Sequence, residues 1–541
     1  PYLLSGTLKT ADITRSGILM KYLSVQEMVA IEKAANRFGQ TYAAMMEAAG
    51  KGLAEVIERR YGPAKEKSIL ALVGSGNNGG DALVALSYLL EWGWKASAAL
   101  FRARDSLDKL IQRFLAGGGE LVDCSDPEKD STALKELIGN SSIILDGVLG
   151  TGIHLPLRPP LDRLLGMTGE FLNTVEEKPV VVAVDCPSGL DCDTGEVSPS
   201  CIKADLTVTM AAIKQGLLKF PAYNYVGELE LVDIGLPDNL PEWEGITREV
   251  IERDWVRDVL PVRPLDAHKG TFGTSLIVAG SLPYPGAAIL AGVSAYRIGA
   301  GLVTMAVPKE IYSGLIKTIP EATWIILEDL SGRITENAVQ QIKDALGRPA
   351  ACLIGPGLSQ ADTTARFLEG VIELENLPSL ILDADGLRLL SRLENWPRKL
   401  PSGSVLTPHP GEMAVLTGLS VDEIQADRVG IAEHYARDWD QILLLKGAHT
   451  VIASPGGGSR ILLSADPALA RAGSGDVLAG IICGLIAQGM DPSTAAASGA
   501  WVHARAGRLA AAQAGTPAAV LAGDISRALG QVLAELQKGK D

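Results

Sequence analysis

A chain of 541 residues exceeds the roughly 250 to 300 that a single hydrophobic core supports, so at least two domains are required. With 47% hydrophobic and 21% charged residues it can bury sizeable cores, which excludes a disordered polymer. The 49 basic and 64 acidic side chains leave a net charge of -15, which argues against nucleic acid and membrane surfaces as partners; a phosphorylated small molecule would have to be held locally by glycine-rich backbone and a few placed lysines.

Residues 1–19 lack the basic start, apolar core and small-residue cleavage site of a signal peptide, and Met20 is the expected native start. Ser24-Val25-Gln26-Glu27 is a capping-box pattern. It opens a helix whose apolar spacing runs through Met28, Ile31 and Ala35, and a second helix is expected over Tyr42 to Arg60. Short β-branched runs at Ser68 to Val73, Lys95 to Phe101, Ser142 to Val148 and Val180 to Asp185 then alternate with helix-length stretches, which predicts a parallel sheet covered on both faces.

The first of these strands leads into Gly74-Ser75-Gly76-Asn77-Asn78-Gly79-Gly80-Asp81, with the next helix expected from Ala82 to Leu90. Its glycines let the backbone approach an anion, and Asn77, Asn78 and Asp81 supply side-chain oxygens, although a tight strand-to-helix turn carries such glycines too. The Lys-Ser/Thr ending of a Walker loop is missing, and the spacing is not that of a dinucleotide fingerprint. Asp146, followed by Gly147-Val148-Leu149-Gly150-Thr151-Gly152, ends the third strand, and Asp185, followed by Cys186-Pro187-Ser188-Gly189, ends the fourth. Ligands of open α/β sheets bind at the carboxyl ends of strands, so Asn78, Asp146 and Asp185 are expected to converge. Their oxygens suit a hard cation and equally suit proton transfer by one carboxylate.

After Gly227 the pattern weakens, and Pro237, Pro241, Pro261 and Pro264 punctuate a charged stretch. Residues 237–259 are the expected linker between a first domain, 20–236, and a second, 260–541. Buried strands are expected at Thr274 to Ala279, Leu302 to Val307, Ala351 to Ile354, Leu380 to Asp383 and Ile442 to Leu445. Thr407-Pro408-His409-Pro410-Gly411-Glu412-Met413 sets His409 in a proline-bounded turn, and Lys446-Gly447-Ala448-His449-Thr450 follows the last strand. Ala472-Gly473-Ser474-Gly475-Asp476 precedes an apolar helix starting at Val477. Its N–H groups would point at a phosphoryl group, with Asp476 placed to take a proton from an attacking hydroxyl; a helix start with an acidic first turn is the alternative. The apolar run Val477 to Ala487 is too short to cross a bilayer, and no short repeat marks a solenoid or propeller. Cys124, Cys186, Cys192, Cys201, Cys352 and Cys483 lack metal-ligand spacing and read as reduced, buried thiols of a cytoplasmic protein.

The three strand-end stretches of the first half, in their order, resemble the NAD(P)HX epimerase family over residues 20–235. That resemblance implies a Rossmann-like three-layer α/β domain that interconverts the two stereoisomers of a nicotinamide cofactor hydrated on its ring. It further implies a potassium ion held by Asn78, Asp146 and Ser188. Substrate contacts are implied for Asn77, Asn78, Gly79, Gly80 and Asp81, for Gly150, Thr151, Gly152, Ile153, His154, Leu155 and Pro156, and for Asp185, the candidate proton shuttle. Ala82 stands where the family usually has glycine.

Gly473-Ser474-Gly475-Asp476 resembles the ribokinase-like α/β fold. Together with His268-Lys269-Gly270-Thr271-Phe272-Gly273, Gly299-Ala300-Gly301, Gly355-Pro356-Gly357-Leu358 and the stretches around His409 and Lys446, it resembles the NAD(P)HX dehydratase family over residues 260–525. Such enzymes use ADP or ATP to phosphorylate the ring hydroxyl, after which phosphate leaves. By this resemblance Gly301, Gly357, His409 and Asp476 would meet the hydrate, with Asp476 as the base. Lys446, Gly447, Ala448, His449 and Thr450, and the stretch from Asp466 through Ala472, Gly473, Ser474 and Gly475, would meet the nucleotide and its Mg2+. Asp466-Pro467 departs from the family's usual Asn-Pro form. The two resemblances together imply a bifunctional NAD(P)HX repair enzyme acting on NADHX and NADPHX with ADP or ATP, its domain order resembling the ADP-dependent members; a homo-oligomer is expected. The alternative is a vitamin-precursor kinase with a silent N-terminal binding module, of the kind found in messenger-RNA decapping scaffolds. The string around His409 and the retained Asn78, Asp146 and Asp185 speak against it.

Overall fold

Two units, meeting between Ile246 and Thr247, each carry their own sheet. The computed structural model describes residues 20–62, 67–105 and 107–538. In the first unit β1 (Tyr22–Leu23) leads into the helix Val25–Arg37, capped as its sequence predicts: Ser24 Oγ accepts from Glu27 N at 3.2 Å while the Glu27 carboxylate accepts from Ser24 N at 2.8 Å. There follow β2 (Ser68–Val73), β3 (Lys95–Leu100), β4 (Glu120–Asp123), β5 (Ile143–Gly147), β6 (Val180–Val184), β7 (Leu206–Met210), β8 (Ile213–Lys214) and β9 (Glu228–Val232). Seven of them form one parallel sheet in the order β4-β3-β2-β5-β6-β7-β9, while β8 pairs with β1.

Side chains alternate across this sheet. Ile69, Ala71 and Val73 of β2 join the core under helices Val25–Arg37, Tyr42–Tyr61 and Asn77–Glu91, whereas Leu70 and Leu72 join the core under helices Ser131–Gly139 and Leu161–Thr174. Three layers result. The chain runs outward from β2 to β4 and returns beside β2 as β5, so the strand order reverses there and a crevice opens at the carboxyl ends of β2 and β5.

The helix after β2 begins at Asn77, not at Ala82. Gly76 caps it, and Gly79 packs so closely that an added Cβ would lie 2.2 Å from Gly74 O, which lets the first turn coil directly against the loop before it. The stretch 237–259 is structured throughout much of its length. Leu240 and Ile246 are buried in the first unit's core around the turn Pro241–Glu244, while β10 (Arg248–Val250) pairs with a strand of the second sheet and the helix Arg253–Val259 follows.

The second unit continues with β11 (Thr274–Val278), β12 (Leu302–Pro308), β13 (Thr323–Leu327), a small hairpin β14 (Asp329–Leu330) and β15 (Arg333–Ile334), β16 (Ala351–Ile354), β17 (Ser379–Leu382), β18 (Val405–Leu406), β19 (Ile442–Leu445), β20 (Val451–Ala453) and β21 (Ser459–Ile461). Ten form a sheet in the order β10-β21-β20-β19-β18-β17-β16-β11-β12-β13, parallel except where β20 runs antiparallel to its two neighbours. Helices Pro285–Ile298, Ser474–Ala487 and Ala522–Gln537 share its main core. Their small residues permit near contact: a Cβ on Gly480 would meet Ala291 O at 2.2 Å. The helix expected from Val477 starts at Ser474, because Gly473, at φ +86°, turns the chain into it. All six cysteines are free thiols, and no helix among the described residues is long and apolar enough to cross a membrane.

Candidate active sites

In the first unit the crevice between β2 and β5 gathers Asn78, Asp146 and Ser188. Asn78 Nδ2 donates to Val184 O at 2.5 Å and to Leu149 O at 3.4 Å. Its Oδ1 faces Gly150, where an added Cβ would lie only 2.1 Å away. Asp146, 0% exposed, accepts from Ser188 Oγ at 2.5 Å and from Ser188 N at 2.8 Å, and Ser188 Oγ in turn accepts from Leu149 N at 2.9 Å. Asn78 and Ser188 thus both bond Leu149, and Asp146 joins the group through Ser188. Burial raises the Asp146 carboxyl above its ordinary range, against the hydrogen bonds from Ser188 and Val148. Among the described residues no lysine or arginine pairs with it. A buried carboxylate without a counter-charge, set beside amide, hydroxyl and main-chain oxygens, has the donor set of a cation site. Beyond Leu149, Gly152, His154 and Pro156 are exposed, Gly150, Thr151 and Leu155 are half-buried and Ile153 is buried.

Asp185 follows β6 with φ +65°, an uncommon conformation for a residue bearing a side chain. Its Oδ1 accepts from Met210 N at 2.9 Å, from Thr209 Oγ1 at 3.0 Å and from the ammonium of Lys214. Asp81, buried on the first turns of the helix Asn77–Glu91, lies in the field of the same pair. Burial, reinforced by the charges of Asp185 and Glu32 and opposed by Lys214, pushes its carboxyl well above the ordinary range. Glu32 is raised as well, by burial first. One carboxylate anchored by a cation thus sits beside two held toward their protonated forms. Lys214 and Glu32 escape the sequence reading. The single hint at Lys214 is a lysine directly after the apolar run Met210-Ala211-Ala212-Ile213.

The second unit builds its group around Asp383, one residue past β17. Asp383 is 1% exposed; its Oδ1 accepts from Lys446 Nζ at 2.6 Å and from Thr407 Oγ1 at 2.8 Å. Lys446 also lies 3.7 Å from Glu412 Oε2. Burial would lower its ammonium's pKa, but the Asp383 and Glu412 carboxylates outweigh this and hold it above the ordinary range. His409 caps the helix Pro410–Thr417, its Nδ1 accepting from Gly411 N at 3.0 Å while Nε2 stands 3.3 Å from Glu412 Oε1. Burial keeps this imidazole toward its neutral form.

Asp476 faces that group from the first turn of the helix Ser474–Ala487. Burial, with Asp383 as the next cause, raises its carboxyl to about 7 although Lys446 opposes the shift. Gly475 stands close to Lys446, since a Cβ there would be 3.4 Å from Nζ. Behind the helix start, Ser474 Oγ bonds His503 Nε2 at 3.1 Å, and burial lowers this imidazole to about 4, leaving it neutral. Asp385 accepts from Ser359 N at 2.9 Å and so ties the Gly357 loop to the same strand end, while Gly301 packs against the turn Lys269–Phe272. Within Lys446 to Thr450, Gly447 and Ala448 are exposed, whereas His449 and Thr450 are buried; burial, together with Arg428, lowers His449 to about 4. Asp383, Thr407 and Glu412 join Lys446, His409, Gly475 and Asp476 here, although the sequence reading gives Asp383 only as a strand end and Thr407 and Glu412 only as parts of the string around His409, with no role in the site.

Residues 42–216 match the family described as YjeF-related protein N-terminus, and residues 275–531 match that described as NAD(P)H-hydrate dehydratase. The chain is 37% identical over 505 residues to the Bifunctional NAD(P)H-hydrate repair enzyme Nnr of Moorella thermoacetica, covering 91% of this chain and 93% of that one. It is 37% identical over 475 residues to the protein of the same name from Salinibacter ruber, covering 84% and 85%. An ADP/ATP-dependent NAD(P)H-hydrate dehydratase from Bacillus subtilis, solved with ATP/Mg2+, is 31% identical and covers 53% of this chain and 98% of that one, with a TM-score of 0.46.

Proposed function

This chain belongs to the bifunctional NAD(P)H-hydrate repair enzymes, and from that premise we propose that the crevice at Asn78, Asp146, Asp185 and Ser188 is its epimerase site and the group around Asp476 its dehydratase site. The enzyme epimerises hydrated NADH and NADPH and dehydrates the hydrate at the expense of a nucleotide. In the first site Asp185 moves the proton that inversion at the ring carbon requires, while Asn77, the helix start through Asp81 and the loop Gly150 to Pro156 orient the substrate. A potassium ion held by Asn78, Asp146 and Ser188 would supply positive charge to this crevice, a reading supported by the uncompensated Asp146 carboxylate.

In the second site the hydrate lies along Gly301, Gly357 and His409, and the nucleotide along Lys446 to Thr450 and Ala472 to Gly475. The observation that carries this reading is Asp476: a carboxyl raised to about 7 at a helix start whose N–H groups can receive a phosphoryl oxygen. As the ring hydroxyl oxygen attacks phosphorus, Asp476 takes its proton and the terminal phosphoanhydride bond breaks. The ring C–O bond of the resulting phosphate ester then breaks, inorganic phosphate leaves with that electron pair, and loss of a proton from the adjoining carbon restores the dihydronicotinamide. Mg2+ arriving with ADP or ATP would screen the phosphates. A cytoplasmic location and assembly into a homo-oligomer belong to the same proposal, with the domain limits 20–236 and 260–541 extended so that the two domains meet between Ile246 and Thr247. The test is incubation of the purified protein with both hydrate isomers and either ADP or ATP, following reduced-nicotinamide absorbance. Recovery from both isomers is expected; no recovery with either nucleotide rules the reading out.

A further inference from the structure

Lys214 is among the largest fully buried side chains of the chain, 1% exposed. A buried ammonium is costly unless all its donors are engaged. Here all three are: Nζ donates to Asp185 Oδ1, to Met210 O at 2.9 Å and to Thr209 Oγ1 at 3.3 Å. None remains for a substrate. Asp185 Oδ1 is filled in the same manner by Lys214, Met210 N and Thr209 Oγ1, so Oδ2 is the carboxylate oxygen left open.

The backbone makes this arrangement rigid. Ala211, at φ +61°, turns the chain between β7 and β8, and β8 is held by β1 through the pairs Tyr22 with Ile213 and Leu23 with Lys214. Glu32, Asp81 and Cys186 face the same pair from their own elements, and among the described residues Lys214 is the cation that answers these acids.

Resting on the assignment of Asp185 as the epimerase proton shuttle, we propose that Lys214 is a positioning residue for epimerisation, locking Asp185 Oδ1 so that Oδ2 alone faces the ring carbon. It acts through Asp185 and touches no substrate.

The experiment measures epimerisation as consumption of the isomer that the second unit does not dehydrate directly, with the first unit's melting transition and far-UV circular dichroism as the check of its folding and dehydration of the other isomer as the check that the coupled assay is not limiting. Lys214→Met lowers kcat for epimerisation by about 10- to 100-fold and leaves KM within about twofold, because a misplaced shuttle slows the proton transfer without loosening the substrate. Thr209→Val removes one donor to Oδ1 while keeping the charge, and lowers kcat by about 3- to 10-fold; it carries the test should Lys214→Met fail to fold. In an Asp185→Asn background, Lys214→Met produces no further loss. A KM rise at unchanged kcat in Lys214→Met, or a full additional loss in the double variant, overturns the positioning role. Unchanged epimerisation in Asp185→Asn alone overturns the shuttle assignment on which it rests.

Discussion

Replacing Asp476 by Asn is expected to move activity and stability in opposite directions. Holding a carboxyl at about 7 rather than 3.8 disfavours its charged form by about 4 kcal/mol, at about 1.4 kcal/mol per pH unit. Partial exposure and screening reduce this to about 2 kcal/mol. The unfolded chain ionises Asp476 near 3.8 whereas the folded chain keeps the proton up to about 7, so the folded state binds more protons in that window and loses stability as pH rises through it. Asp476→Asn removes the penalty. At pH 8 the variant's second unit should melt about 4 to 8 °C higher than the unmodified protein, and near pH 4 the two should melt together. Dehydration should fall by about 100- to 10,000-fold, the usual loss for a general base. In the unmodified enzyme the dehydration rate should decline as pH falls below about 7, where Asp476 takes up its proton. Differential scanning calorimetry at the two pH values and recovery of reduced-nicotinamide absorbance read both effects. Turnover within about threefold of the unmodified enzyme, or a lower melting temperature at pH 8, would refute the reasoning.

Two further outcomes follow from the first unit. A Cβ on Gly150 would lie 2.1 Å from Asn78 Oδ1, so Gly150→Ala must turn the amide away. It should slow epimerisation at least about tenfold and destabilise the first unit by about 1 to 3 kcal/mol, read as an epimerisation rate and a melting curve. If the proposed potassium site at Asn78, Asp146 and Ser188 operates, exchanging potassium for lithium should slow epimerisation; equal rates in the two salts would remove the ion from the mechanism.

The parts of both sites that lie on glycine-rich loops were legible from sequence, since strand, loop and helix follow one another there within a dozen residues. Asn78 and Ser188 both bond Leu149, and Asp146, inside β5, bonds Ser188, whereas Asp185, the third residue expected to converge with Asn78 and Asp146, bonds Met210, Thr209 and Lys214 instead. Single polar residues at the ends of plain strands were not legible. Asp383 looks like the last residue of a buried strand, and its partner Lys446 lies 63 positions away. Glu412 stands inside a recognisable string, yet nothing in that string reveals that its carboxylate faces Lys446 as well as His409. The strand β7 goes unnoticed because Thr207 and Thr209 break its apolar run, although both are buried with their hydroxyls bonded, to Val226 O at 2.6 Å and to Asp185. His449 belongs by motif to the nucleotide loop, but its ring is buried and its backbone stands at φ +53°, neither of which a spacing pattern conveys.

The division of labour between the two sites is tested most directly by Asp185→Asn supplied with a mixture of both hydrate isomers, nucleotide, Mg2+ and potassium. In the proposed dehydratase site one ring hydroxyl would lie beside Asp476, and because reacting groups must come within about 3 to 3.5 Å, that proposal admits one isomer alone. Absorbance should therefore recover in a fast phase for that isomer and a slow phase at the uncatalysed epimerisation rate for the other, with added unmodified protein restoring the fast course. A single fast phase that exhausts both isomers together in the variant would contradict the account.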